Sequence, residues 1–188
     1  DIITLSFGAT VTDFDGDTAA APIVINVKDD APTFQNDGPR PDHGLETVDE
    51  TNLGPIVETG KLNANFGADT PGSYAFKNNG FTSSGSKLNG ALTSGGVPVV
   101  VTIENGVYVG KANGTTVFTL ELTSATGDYK FTLLEPLDHA DGANPNDVIT
   151  LDFAVIASDF EGDSVTGSIR INVKDDAPDA VDDSRTVG

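Results

Sequence analysis

One 32-residue stretch occurs twice in this chain. Residues 1–32 read DIITLSFGATVTDFDGDTAAAPIVINVKDDAP, and residues 147–178 read DVITLDFAVIASDFEGDSVTGSIRINVKDDAP. The copies lie 146 positions apart, align without a gap and share 18 of 32 residues. Self-similarity at a fixed offset is the mark of a modular array, in which each copy forms the same unit. The expected organisation has three parts. Residues 1–34 are the C-terminal hairpin and linker of a preceding module, whole or split; 35–178 form a complete module; and 179–188 start the next module or a linker.

Within each copy the apolar period is two. Ile3, Leu5, Phe7, Ala9 and Val11 alternate with Thr4, Ser6, Gly8 and Thr10, and Ile149, Leu151, Phe153 and Val155 repeat the pattern. Such alternation is that of a half-buried strand. The return strands carry Ile23, Ile25 and Val27, or Ile169, Ile171 and Val173. Each copy is thus read as a β-hairpin. An isolated hairpin is marginal in water, so residues 1–34 are expected to rest against other structure.

Between the copies, strands are expected near 62–66, 73–76, 88–92, 97–103, 106–110, 116–122 and 129–134. The breakers are Asn78-Asn79-Gly80, Ser94-Gly95-Gly96, Asn105-Gly106 and Asn113-Gly114, and Asn-Gly between apolar runs is a strong hairpin signal. No window carries a capped helical period. Many short strands in one module predict an all-β, immunoglobulin-like antiparallel β-sandwich.

Charge narrows the function. There are 29 acidic and 10 basic residues, for a formal charge of −19. That surface repels nucleic acid and anionic membranes and attracts cations. Hydrophobic residues make up 37% of the chain and fall in patterned segments, which supports a packed core. No stretch approaches the roughly 20 apolar residues of a membrane span. The chain opens inside a strand-like run, as an excised fragment would, with no basic-then-apolar leader. With no Cys, thiolate zinc sites, disulfides and cysteine nucleophiles are excluded.

The acids that stand out are duplicated with the repeat. Asp13, Asp15 and Asp17 sit at alternate positions around Gly16, and the second copy has Asp159, Glu161 and Asp163 around Gly162. Alternate side chains of an extended segment point the same way, so three carboxylates can converge on one ion. Calcium takes six to eight oxygens, so other groups must complete the shell. The spacing is not that of an EF-hand, which needs Gly at its sixth position and Glu at its twelfth, where Val24 stands. The competing reading is a solvated acidic turn.

A second motif, Lys28-Asp29-Asp30-Ala31-Pro32, recurs as Lys174-Asp175-Asp176-Ala177-Pro178. Proline stops the preceding strand from continuing into a central ladder, so the motif reads as an intermodule linker. A strand of about nine residues runs roughly 30 Å, which puts a module's last loop and its exit linker at opposite ends. The expectation is that Asp29, Asp30, Glu50, Asp159, Glu161 and Asp163 share Ca2+ where the preceding module meets the complete one. Asp13, Asp15 and Asp17 would serve the previous junction, and Asp175 and Asp176 the next. Dissociation constants on the order of 10⁻⁴–10⁻³ M are expected for such extracellular sites.

The repeated acidic loop and the KDDAP linker resemble tandem modules of giant repeats-in-toxin (RTX) adhesins. So do Phe66-Gly67-Ala68-Asp69, Gly72-Ser73-Tyr74 and Leu134-Glu135-Pro136-Leu137-Asp138-His139. The resemblance implies export by type I secretion, a place on the surface of Gram-negative bacteria, and calcium that rigidifies the linkers. It also implies a monomeric extender whose partners are neighbouring modules of the same chain. Host or biofilm ligands would be met through other domains. Glu161 departs from the all-Asp loop.

No G-x-S-x-G elbow, phosphate-binding loop or H-E-x-x-H is present, and the chain is not expected to be an enzyme. The histidines are His43 and His139; the second precedes a loop rich in Gly, Asn and Pro and is read as fixing a turn. The rival function is a calcium-dependent sugar- or peptide-binding module, which would leave a coordination position open beside exposed aromatics. Aromatic content of 7%, mostly at alternating positions, favours the extender.

Overall fold

The structure, a computed structural model, describes residues 1–34, 45–51, 54–86, 90–141, 144 and 146–176, with only the backbone of Leu45. Among them every regular element is a strand. The alternating segment of the second copy forms β13 (Val148–Ser158) and β14 (Ser164–Lys174), paired antiparallel. Beside β13 lies β7 (Ser73–Ser84), and beside β14 lies β4 (Leu45–Asp49), in the order β4-β14-β13-β7. The β4–β14 pairing is parallel. This detail later decides where Glu50 sits.

The second sheet has six strands. They are β5 (Ile56–Lys61), β12 (Asp128–Leu133), β11 (Thr115–Leu122), β10 (Val107–Ala112), β9 (Val97–Glu104) and β8 (Thr93–Ser94), adjacent in that order. Gly95-Gly96 makes one of its two-residue turns, and two Asn-Gly pairs make the others. Asn105 and Gly106 have φ of 51° and 81°, and Asn113 and Gly114 have 48° and 85°. Positive φ at both positions is what a two-residue hairpin demands.

Phe118, Leu120 and Phe131 from this sheet meet Ile149, Leu151, Phe153, Ile169 and Ile171 from the other, all fully buried. Phe118 and Phe153 cross edge-to-face with centroids 5.9 Å apart. The module is an immunoglobulin-like β-sandwich, as its alternation predicted.

Two local expectations are corrected. Asn78-Asn79-Gly80 does not end a strand, because β7 runs through it as a bulge that shifts the register against β13 between Phe153 and Val155. Asn79 takes φ of 55°, the Tyr108 hydroxyl donates to the Lys77 carbonyl at 2.8 Å, and a Cβ on Gly80 would strike Ala154 at 2.7 Å. The strand expected over 62–66 is instead a fully buried Leu62, just past the end of β5, and the short β6 (Ala64–Asn65). Of the strand expected over 88–92, residues 88 and 89 lie outside those described, as do His43 and 179–188.

The first copy forms β1 (Ile2–Thr12) and β2 (Thr18–Lys28), with the register of its counterpart: Phe7 faces Ile23 as Phe153 faces Ile169. This hairpin is a two-stranded sheet exposed on both faces. After it, Pro32 is buried, and β3 (Thr33–Phe34) pairs with β6 on the complete module. The Phe34 ring lies over Gly167, where an added Cβ would meet it at 2.5 Å. The linker is therefore docked on the module that follows it.

Candidate metal centres

The linker carries Asp29 and Asp30 to the loop 66–69, at the proximal end of the complete module. There an Asp30 carboxylate oxygen accepts from the Ala68 N–H at 3.0 Å. A Cβ on Gly67 would collide with that carboxylate, so glycine, at φ of 61°, is what allows the approach. The same end receives the β13–β14 loop, because the Phe160 N–H donates to the Asp69 carbonyl at 3.1 Å. Carboxylate oxygens of Asp29, Asp69 and Glu161 then all lie within 4.8 Å of one another.

This grouping is electrostatically costly by itself. Asp69 has its pKa raised to about 6, first by the hydrogen bond it shares with Asp30, then by desolvation and by the charges of Asp30, Glu161 and Asp29. Asp30 is shifted down, chiefly by the Ala68 N–H and then by Asp69. Beside them Asp159 is buried. One of its oxygens takes the Gly162 and Asp163 N–H groups at 2.8 Å each, and the other has no hydrogen-bond partner. Asp163 is exposed and its carboxylate lies outside the three-acid group.

Asp69 was not among the expected ligands, although it ends the Phe66-Gly67-Ala68-Asp69 motif. Nothing in its local spacing ties it to the Glu161 loop some 90 residues away; only the loop-to-loop hydrogen bond does.

In the first hairpin Asp13, Asp15 and Asp17 also gather within 4.8 Å, fully exposed. Asp13 accepts from Gly16 and Asp17 N–H, the same turn that Asp159 makes. Its pKa is lowered, first by the hydrogen bond with Asp15.

The proximal position expected for Glu50 is corrected. Because β4 runs parallel to β14, Asp49 is level with Lys174 and Glu50 N–H donates to the Lys174 carbonyl, at the distal end. Glu50 there forms a buried group with His139 and Asp175 whose ligand atoms lie within 4.8 Å of one another. His139 Nε2 is 3.4 Å from Glu50 Oε2, an ion-pair distance without an aligned hydrogen bond, and neither ring nitrogen has a hydrogen-bond partner. Desolvation pulls the His139 pKa down; the direct approach of the Glu50 carboxylate, then the charges of Glu50, Asp175 and Asp147, outweigh it, and the net shift is upward. Asp176 is exposed and lines a depression next to Glu50. Where a turn was expected, His139 instead forms a β-bridge with Ser86, and the buried imidazole facing carboxylates from two other segments could be seen only in three dimensions.

No curated protein matches the chain. Among solved structures, that of mouse clustered PcdhgC3 EC1-3 is similar over 92% of this chain and 42% of its own length, with 15% identity and a TM-score of 0.29. The family described as "Domain of unknown function (DUF5801)" matches residues 46–172, which is more than half of the chain and nearly the whole sandwich, and the protein belongs to that family.

Proposed function

We propose that the chain is a calcium-stiffened extender of a bacterial cell-surface adhesin, in which an ion locks each linker to the module after it. The observation that carries this reading is the convergence of Asp29, from the linker, with Asp69 and Glu161, from two loops of the receiving module. Calcium bonds oxygen at about 2.3–2.6 Å, so two ligands on opposite sides of one ion stand about 4.8 Å apart. Three carboxylates inside that span repel one another until a cation joins them, and the charges of Glu161 and Asp29 add to the rise in the Asp69 pKa behind its hydrogen bond with Asp30 and desolvation. The partnerless oxygen of Asp159 supplies a further hard donor nearby. An ion held from both sides removes the linker's freedom to bend, which is the property an extender needs.

The test compares thermal unfolding and small-angle scattering in millimolar Ca2+ and in chelator, for the wild type and for Asp29→Asn and Asp69→Asn. A calcium-dependent rise in Tm and a longer, stiffer particle, both lost in the variants, are expected. No response in the wild type would remove the calcium mechanism.

One observation favours a second reading, direct calcium-dependent ligand binding. Phe160, next to Glu161, is 74% exposed. Glycan or peptide binding that needs both Ca2+ and Phe160 would replace the extender by a lectin-like module.

A further inference from the structure

The distal group differs from the proximal one in chemistry. Its donors are one imidazole nitrogen and two carboxylates, Glu50, His139 and Asp175, and all three residues are buried, with the His139 side chain 1% exposed. A buried imidazole normally donates one ring N–H and accepts at the other nitrogen, yet among the described residues neither nitrogen here makes an aligned hydrogen bond. Charge is unbalanced as well. Glu50, Asp175 and Asp147 all act on this one ring, so even an imidazolium leaves the site negative.

We propose that Glu50, His139 and Asp175 form a site for a borderline divalent transition ion, with Zn2+ as the type, distinct from the hard-cation site at the proximal end. Calcium prefers an all-oxygen shell of six or more donors, whereas Zn2+ accepts mixed nitrogen and oxygen ligands in fours. Tetrahedral bonds of 2.0–2.2 Å put neighbouring ligand atoms about 3.4 Å apart. The separation of His139 Nε2 and Glu50 Oε2 is 3.4 Å, longer than an aligned charge-assisted hydrogen bond and equal to that edge. Three protein donors leave the fourth position to water.

The supports are in place around the site. The other Glu50 oxygen, Oε1, accepts from the Leu137 N–H at 3.0 Å. His139 is held by a β-bridge to Ser86, with Asp138 N–H donating to Thr93 and Ala140 N–H to Gly85 on either side. Asp175 N–H donates to the Asp147 carbonyl at 2.9 Å. Such fixed ligands favour binding, because little must be ordered when the ion arrives. A depression of about 200 Å³, lined by Glu50, Gly54, Pro136 and Asp176, opens beside Glu50.

The inference rests on this group alone, not on calcium at the proximal end. The test titrates Zn2+ into the whole chain in the presence of saturating Ca2+, by calorimetry and by NMR of the histidine rings. The chain has two histidines, so their signals can be told apart with His139→Gln. Expected are one Zn2+ bound at micromolar or tighter Kd, a displaced His139 ring signal, and at least a tenfold weakening in Glu50→Gln and in His139→Gln. Co2+ in place of Zn2+ should give the intense visible bands of a four-coordinate ion. Circular dichroism of the two variants checks that they remain folded. If a variant unfolds, the His139 ring shift and the Co2+ spectrum of the wild type decide the matter. No binding, binding that leaves the His139 ring unmoved, or Zn2+ displaced completely by Ca2+ would overturn the proposal. A null Zn2+ result leaves the calcium reading intact, and a null Ca2+ result leaves this one intact.

Discussion

Phe7 and Phe153 occupy the same place in the repeat, yet Phe7 is 51% exposed and Phe153 is fully buried among Phe81, Tyr108, Phe118 and Phe131. Residue identity therefore does not set the energetic worth of a side chain; what covers it does. Truncating Phe153 to Ala should destabilise the sandwich by about 3–5 kcal/mol, through lost transfer energy and the cavity left behind. Phe7→Ala should change stability by about 0.5 kcal/mol or less. Urea unfolding of the two variants, followed by sandwich aromatic signals, measures both.

Asp69 gives the proximal group its pH dependence between about 4 and 6. Its pKa is raised from 3.8 to about 6 in the folded chain, so between those values the native state holds a proton that the unfolded state has released. Stability without metal should accordingly fall as pH rises through that window. Calcium must displace this proton, so its stabilising effect should grow with pH over the same range. Tm measured in chelator and in Ca2+ from about pH 4 to 7 should give opposite slopes. Parallel slopes would show that Asp69 does not touch the ion.

At the scale of elements, the two hairpins form a natural control. β13–β14 lies between β4 and β7 and is covered by the six-stranded sheet, whereas β1–β2 has no further strand on either edge among the described residues. Backbone pairing is the same, so any difference in protection comes from burial. Amides of β1 and β2 should exchange with solvent at least 100-fold faster than their counterparts 146 residues on, since a two-stranded ribbon opens without breaching a core. Equal protection would mean that the first hairpin is covered in solution.

The Asn78-Asn79-Gly80 segment shows why element boundaries were partly hidden. Its residues are ordinary turn formers, and nothing local separates a turn from a bulge. The bulge exists because β7 must stay paired with β13 on both sides of it.

At the scale of the whole molecule, the linker is part of the module it leads to. β3 pairs with β6, Phe34 lies over Gly167, and Asp30 caps the 66–69 loop before any ion is considered. A preceding sandwich would cover Ile3, Leu5 and Phe7 as Ile149, Leu151 and Phe153 are covered here. Extending the chain with a body like residues 45–134 ahead of the first hairpin should bring β1–β2 exchange to the level of β13–β14. A hairpin that stays unprotected in the extended chain would show that these copies are used differently.

The repeat, the period-two alternation and the Asn-Gly turns were local or self-similar, so the sequence by itself determined that the chain is all-β and carries the same hairpin twice. It also identified the linker and loop acids as a group, because duplication marked them. What it did not contain was the company those acids keep. Asp69 joins Asp29 through a contact between two loops, Glu50 moves to the distal end because one strand pairs parallel, and His139 finds Glu50 and Asp175 across three separate segments. Those choices belong to tertiary structure because strand order and direction, not spacing along the chain, decide which carboxylates share a space.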